Sequence, residues 1–158
     1  MDITFKTENG TFNYRVCAVI VNDRKLLVMH DENSPYYYLP GGRVKLHETA
    51  ESAVLREVKE ELGAEAAIVR PLWVNQGFFT EDVTGERFHE LCIYFLIDVS
   101  QADLLKKGEK FRLYEDDRVH DFEWLPFERA EKEYLYPVFI RKKIDELPET
   151  LVLQSEFE

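Results

Sequence analysis

Three carboxylates crowd one short stretch of this chain: Glu57, Glu60 and Glu61. If residues 49–62 form a helix at ~100° per residue, the three stand side by side at positions i, i+3 and i+4. Carboxylates so placed repel one another unless a cation lies between them. Glu60 and Glu61 also fall in the last turn, where the helix dipole disfavours anions. On the same wheel Arg56 and Lys59 point elsewhere. The chemistry that suits the cluster is the binding of a cation such as Mg²⁺, which takes a few protein oxygens and leaves the other positions to water and phosphate. Taken alone, the pattern also suits a solvated acidic face, because Glu is a good helix former.

The residues around the cluster narrow the choice. Gly41 and Gly42 read as a tight turn that lets the backbone approach a ligand closely. Thr49 is placed to cap the helix and Gly63 to end it in a left-handed turn. Val54, Leu55, Val58 and Leu62 form an apolar stripe that packs the helix on a sheet. From Gly42 the chain runs through five residues to Glu48, seven more to Arg56-Glu57-Val58, then Lys59, Glu60-Glu61, Leu62 and Gly63. This resembles the Nudix box, G-x5-E-x7-R-E-U-x-E-E-x-G-U with U a bulky aliphatic, departing only where Ala64 takes the last position. Residues 38–42 (Tyr-Leu-Pro-Gly-Gly) and 122–126 (Phe-Glu-Trp-Leu-Pro) resemble the lead-in and the late strand of the same family. Residues 134–158 add nothing to the resemblance.

Membership of the Nudix hydrolase superfamily implies an α/β/α sandwich with a mixed sheet and one catalytic box helix. It implies hydrolysis of a phosphoanhydride bond in a small nucleoside diphosphate-linked or related substrate, with Mg²⁺ or Mn²⁺ as cofactor. Carried onto this chain, the metal ligands are Glu57, Glu60, Glu61 and the Gly41 carbonyl. Arg56 resembles the arginine that orients a box glutamate, and Glu48 the first box glutamate, whose role in the family is more often structural or in the outer shell of the metal. The general base of such enzymes commonly lies outside the box. Glu115, Asp116 and Asp117, just before the late strand, are favoured over His89 and Glu90, with Glu115 the catalytic candidate. Phe78 and Phe79 are the candidates for stacking on the substrate, and as neighbours on a strand only one of them faces it. The subfamily marks for NADH, ADP-ribose and dinucleoside polyphosphates are absent after the box, so the rest of the substrate stays open. Two other readings remain: a catalytically silent nucleotide-binding or regulatory module, whose usual mark is a broken box, and an RNA-end pyrophosphohydrolase. A diphosphate isomerase would need a catalytic cysteine, and Cys17 lies in a core strand.

Composition is consistent with this reading. The chain has 158 residues, 45% of them hydrophobic, which suits one domain over 1–158 with one sizeable core. Its net charge of −11 argues against DNA and against an anionic membrane surface as partners. No apolar run approaches the ~20 residues of a membrane-crossing helix, and residues 1–6 show no basic leader. Two cysteines, both in apolar runs, read as reduced core thiols, so a cytoplasmic location is expected and a cysteine-based zinc site is not. His30, His47 and His120 have no zinc-like spacing and read as structural or surface residues. A homodimer is left open.

The elements that must position these groups are legible from period and punctuation. Strands are expected at 11–14, 15–21 and 25–30, with 22–24 as a turn, and at 36–39, 67–74, 77–80 and 88–99. Residues 83–86 read as a hairpin tip, 100–118 as a charged loop, and 119–125 as the last strand. A short helix is expected between Pro126 and Pro137, and a second helix over 138–147.

Overall fold

The computed structural model describes residues 1–100 and 103–158. In chain order the elements are β1 (Thr4–Thr7), β2 (Gly10–Val19), β3 (Val21–Asn22), β4 (Lys25–His30), β5 (Gly41–Arg43), α1 (Ala50–Leu62), β6 (Ala67–Thr80) and β7 (Arg87–Asp98). A 3₁₀ turn (Asp103–Lys107), β8 (Lys110–Glu115), β9 (Arg118–Pro126), α2 (Phe127–Ala130), α3 (Ile140–Lys143) and β10 (Val152–Phe157) follow.

The strands form two sheets. The larger is mixed and runs β1-β2-β7-β6-β10, with β5 sharing the β1 edge of β2. Within it β2 runs parallel to β7 and β6 parallel to β10, while β6 and β7 are antiparallel. The smaller sheet, β3-β4-β9-β8, is wholly antiparallel. Its β3–β4 hairpin turns on Asp23 and Arg24, both with positive φ (49° and 57°). Such a two-residue turn matches the twist of the flanking strands.

Strand β2 shows why the sheet is covered on both sides. Val16, Ala18 and Ile20 point into one core cluster with Val54 and Val58 of α1, while Cys17 and Val19 point into a second with Trp73, Tyr94 and Ile140. Alternation at period two therefore feeds two layers. Helix α1 packs against β2, β5 and β6 on one side and against β8 on the other. The segment holding α2 and α3 covers the opposite face through Phe127, Ala130, Leu135, Ile140 and Ile144. The expected α/β/α sandwich is thus present, with a thin second helical layer. Both ends of α1 lie where the sequence puts them. The Thr49 hydroxyl accepts from the Ser52 N–H at 3.1 Å, and Gly63 has φ 63° and donates its N–H to the Lys59 carbonyl at 2.9 Å.

Several expectations are corrected. Residues 36–39 are not a strand: Tyr37 and Tyr38 make single bridges to Leu135 and Met29, and no neighbouring chain runs alongside for a ladder. Residues 67–80 form one strand, irregular at 68–73, where Pro71 has no N–H to donate. The charged loop contains β8, whose Phe111 and Leu113 pack on the core while Lys110 and Arg112 alternate with them. Only Ile140–Lys143 of the second expected helix is helical. Residues 118–126 are not the last strand, because β10 follows and pairs with β6.

The Gly63 end of α1 gives a stability test. An L-residue in the left-handed region costs ~1–2 kcal/mol, and nothing lies within 4 Å of an added Cβ to confuse the effect. Gly63→Ala should lose about that much in urea denaturation, and Gly63→Asn clearly less, because Asn tolerates this conformation.

Candidate active site

The site is assembled around Arg56. Its Nε and Nη2 donate to the two Glu48 carboxylate oxygens at 2.7 and 2.9 Å, and Nη2 also donates to the Arg43 carbonyl at 3.1 Å. Nη1 donates to Glu57 at 2.8 Å and to Glu60 at 3.3 Å. All five N–H groups of the guanidinium are thereby used. The helical wheel had this side chain pointing away from the carboxylates, and its length brings it back. Lys59 does point away and pairs with Glu65 at 2.8 Å. The Arg56 bonds hold the Glu48 carboxyl down at about 2, with help from the Lys45 N–H.

The glycine pair is not a turn. Gly41 and Gly42 lie in β5, paired with Cys17 and Val16 of β2. Glycine is needed for space rather than for φ. A Cβ on Gly41 would overlap the Val16 carbonyl, and one on Gly42 would overlap the Glu57 carboxylate. Close backbone approach was the right reading, but it is made to the protein's own groups. The Gly41 N–H donates to Glu61 Oε1 at 2.9 Å.

The three box carboxylates therefore differ. Glu61 is buried, and burial together with the Glu57 charge pushes its carboxyl well above the ordinary range. Glu57 is half-buried and raised for the same first reason, burial, against the pull of Arg56. Glu60 keeps 42% of its side chain exposed and turns outward. Glu57, Glu61 and Gly41 line a cleft of about 600 Å³. Across it stand Glu115, at the end of β8, and Asp117 in the β8–β9 turn. Asp116, at φ 50° in the same turn, does not line the cleft. His120 holds Glu115 through Nε2 at 3.1 Å, so this histidine is part of the site, which its lack of zinc-like spacing did not show. Asp31, Glu32 and Asp121 add to a strongly acidic lining. The donors facing the cleft are mostly oxygens, the set that suits Mg²⁺ or Mn²⁺. Among the described residues no three of them already surround one point. Glu57 is turned to Arg56, and Glu61 to the Gly41 amide.

A second cavity, about 370 Å³, opens on the opposite face of the larger sheet, and Tyr38 lines both. Its walls include Phe79, Phe88, Tyr36 and Tyr136. Phe78 points the other way and stacks on Phe157 (ring centroids 4.8 Å apart) and His89 (4.5 Å). Of the two candidate phenylalanines only Phe79 faces a cavity. His89 lies against Phe78 and Phe12, outside the cleft, and Glu90 lines the second cavity. Sequence reading also passed over Asn13, Arg15 and Asn75 in this cavity. The available signal was polar residues at every second place in otherwise apolar strands.

A model of the NUDIX domain family matches residues 11–146. This chain belongs to the NUDIX family. A protein of Methanocaldococcus jannaschii named ADP-ribose pyrophosphatase is 32% identical over 125 residues, covering 76% of this chain and 71% of that protein. An RNA pyrophosphohydrolase of Orientia tsutsugamushi is 37% identical over 73 residues, 44% of this chain and 45% of that protein. Among solved structures, a MutT protein from Bacillus halodurans superposes with a TM-score of 0.61 over 92% of this chain and 89% of that one, at 13% identity. That likeness is one of fold. The NUDIX match spans β2 to the end of the α3 segment and so contains both cavities except for the β10 wall.

Two adjacent glycines of this NUDIX domain should fail differently. Gly41→Ala meets backbone and should lose ~1–3 kcal/mol or more of folding stability. Gly42→Ala meets only the movable end of Glu57, so its thermal midpoint should stay close to wild type while kcat falls by ~10²-fold or more. The acid limb of stability tests Arg56. Glu48 is depressed in the folded state, so its contribution is complete above the unfolded value of 4.5 and is lost as pH falls towards about 2. Glu48→Gln should flatten stability across that window, as read from urea midpoints at stepped pH.

Proposed function

We propose that this chain is a divalent-metal-dependent pyrophosphohydrolase of small diphosphate compounds. The observation that supports this most is the single acidic cleft in which Glu57 and Glu61 of the box helix, the Gly41 strand and Glu115 of a different sheet meet. Glu57 and Glu61, with the Gly41 carbonyl, would hold Mg²⁺ or Mn²⁺. When bound, the ion neutralises the diphosphate and lowers the pKa of a bound water. Arg56 keeps Glu57 in place with one N–H and spends the other four on Glu48, Glu60 and the Arg43 carbonyl. Glu115 is the proposed general base: its carboxylate lines the cleft and accepts the proton of the attacking water, while His120 fixes its orientation. Glu60, turned outward and bonded to Arg56, supports the arrangement from outside the cleft.

Small substrates are favoured over RNA because the net charge of −11 offers no track for a long polyanion. The relative named ADP-ribose pyrophosphatase makes ADP-ribose the first compound to test. Phe79 is the proposed stacking residue for the non-phosphate half, and residues 1–158 are proposed as one domain. Among the described residues no helix is long and apolar enough to cross a membrane.

The test is a panel of diphosphates, ADP-ribose and a 5′-triphosphorylated RNA among them, assayed for product release. Chelation with EDTA should abolish turnover, and Mg²⁺ or Mn²⁺ should restore it. Glu61→Gln and Glu115→Gln should each lower kcat by ~10²-fold or more, Glu60→Gln by less, and His89→Ala only slightly. Because folding raises the Glu61 carboxyl, its ionised form weakens the metal-free fold as pH rises above 4.5. Glu61→Gln should therefore raise the metal-free thermal midpoint at neutral pH while it removes activity. Full turnover in EDTA, or an unchanged kcat in Glu61→Gln, would overturn the proposal.

A further inference from the structure

Two of the arginines around the site are in opposite states. Arg56 has no donor left, whereas Arg15 has spent almost none. The Arg15 Nε is shut off from solvent and has no hydrogen-bond partner among the described residues. Its one carboxylate neighbour, Glu90, lies 3.9 Å from Nη1, beyond hydrogen-bond distance. A buried donor left unmade is costly and calls for a partner that the chain does not supply. About a third of the side chain (34%) remains open, and it lines the second cavity.

Register says where this cation stands. Arg15 pairs with Arg43 in β5 and with Cys92 in β7, while Cys17, one step further along the same face of β2, pairs with Gly41. Arg15 is thus two residues along β2 from Cys17, whose partner Gly41 lines the acidic cleft, and its positive charge favours the ionised forms of Glu57 and Glu61. Beyond it the cavity floor continues through Asn13, Asn75 and Glu90 to Phe79. Tyr38 lines both the cavity and the cleft, and a compound that lies in the cavity with its diphosphate turned towards the cleft has this guanidinium in the same cavity wall. Planar, forked donors match phosphoryl oxygens two at a time.

Resting on the functional reading above, we propose that Arg15 is a substrate-positioning residue that grips the phosphoryl oxygens where the second cavity meets the acidic cleft. It fixes which phosphorus faces the cleft and selects compounds whose phosphate lies at that junction. Gly77 leaves the middle of the floor bare, and a Cβ there would have only ordinary contacts, the nearest at 3.5 Å to Asn75. The non-phosphate half has its room at this place.

The experiment pairs steady-state kinetics with binding on the full chain. The kinetic substrate is the best diphosphate of the panel. The binding probes are α,β-methylene-ADP, which resists hydrolysis, and adenosine, both titrated calorimetrically in Mg²⁺. Arg15→Gln should raise KM about tenfold or more, with a smaller change in kcat, and should weaken α,β-methylene-ADP by a similar factor while leaving adenosine unchanged. Arg15→Lys should recover part of the loss. Gly77→Val should weaken both probes, because it fills the space of the shared half. A guanidinium serving only as partner to Glu90 predicts otherwise: Arg15→Gln and Glu90→Gln would then lose equal stability, and neither would discriminate between the probes. That result, or an unchanged KM in a folded Arg15→Gln variant of an active enzyme, overturns the proposal for Arg15 alone. If the wild-type chain turns over no diphosphate, the functional reading falls first and Arg15 falls with it. Should Arg15→Gln fail to fold, Arg15→Lys and Gly77→Val carry the same comparison.

Discussion

The site depends on one guanidinium. Arg56 ties the loop before the helix through Glu48, the strand below it through the Arg43 carbonyl, and the helix itself through Glu57 and Glu60. The Gly41 amide adds a second tie between the strand and the helix through Glu61. With every donor committed, no rotation of Arg56 keeps one bond without losing others, so the network behaves as a unit rather than as separate ion pairs. The glycine pair completes the constraint. Strand β5 can lie this close to both β2 and Glu57 only because positions 41 and 42 carry no side chain.

The same geometry explains how an acidic protein can tolerate a carboxylate as buried as Glu61. Its single amide bond to Gly41 does not offset desolvation beside Glu57, so the fold holds an electrostatic conflict here. Conflicts of this kind cluster where a ligand resolves them. Other acids are relieved within the protein: Glu48 by Arg56, Asp121 by Arg112, and Glu123 by Arg129.

Much of the chemistry was legible because it is local. Residues 41–63 carry the glycines, the cap, the arginine and the carboxylates in one run, and a helix turns that spacing directly into neighbours in space. The place of Glu115 was readable only as a polar spot before a strand, since its position in the same cleft as Glu61 depends on how the second sheet docks on α1. The glycine turn was misjudged because glycine signals either an unusual φ or a lack of room, and the letters do not say which. Strand β8 was missed because charge at every second residue resembles a loop when no partner strand is in view. Strand β10 left no readable mark at all: its Ser155, Glu156 and Phe157 look like a solvated tail until β6 is beside them.

That parallel pairing of β10 with β6 joins residues nearly eighty positions apart, with Gln154 opposite Asn75 and Glu156 opposite Gly77. The box is written in a contiguous stretch, whereas the far wall of the second cavity, with Glu156 and Glu158, comes from a segment that shares no hydrogen bond with the box among the described residues. The two regions are thereby separable in inheritance. Substitutions in the β10 wall can reshape the second cavity without disturbing a single bond to Arg56, so the box network can be carried unchanged among descendants whose second cavities differ.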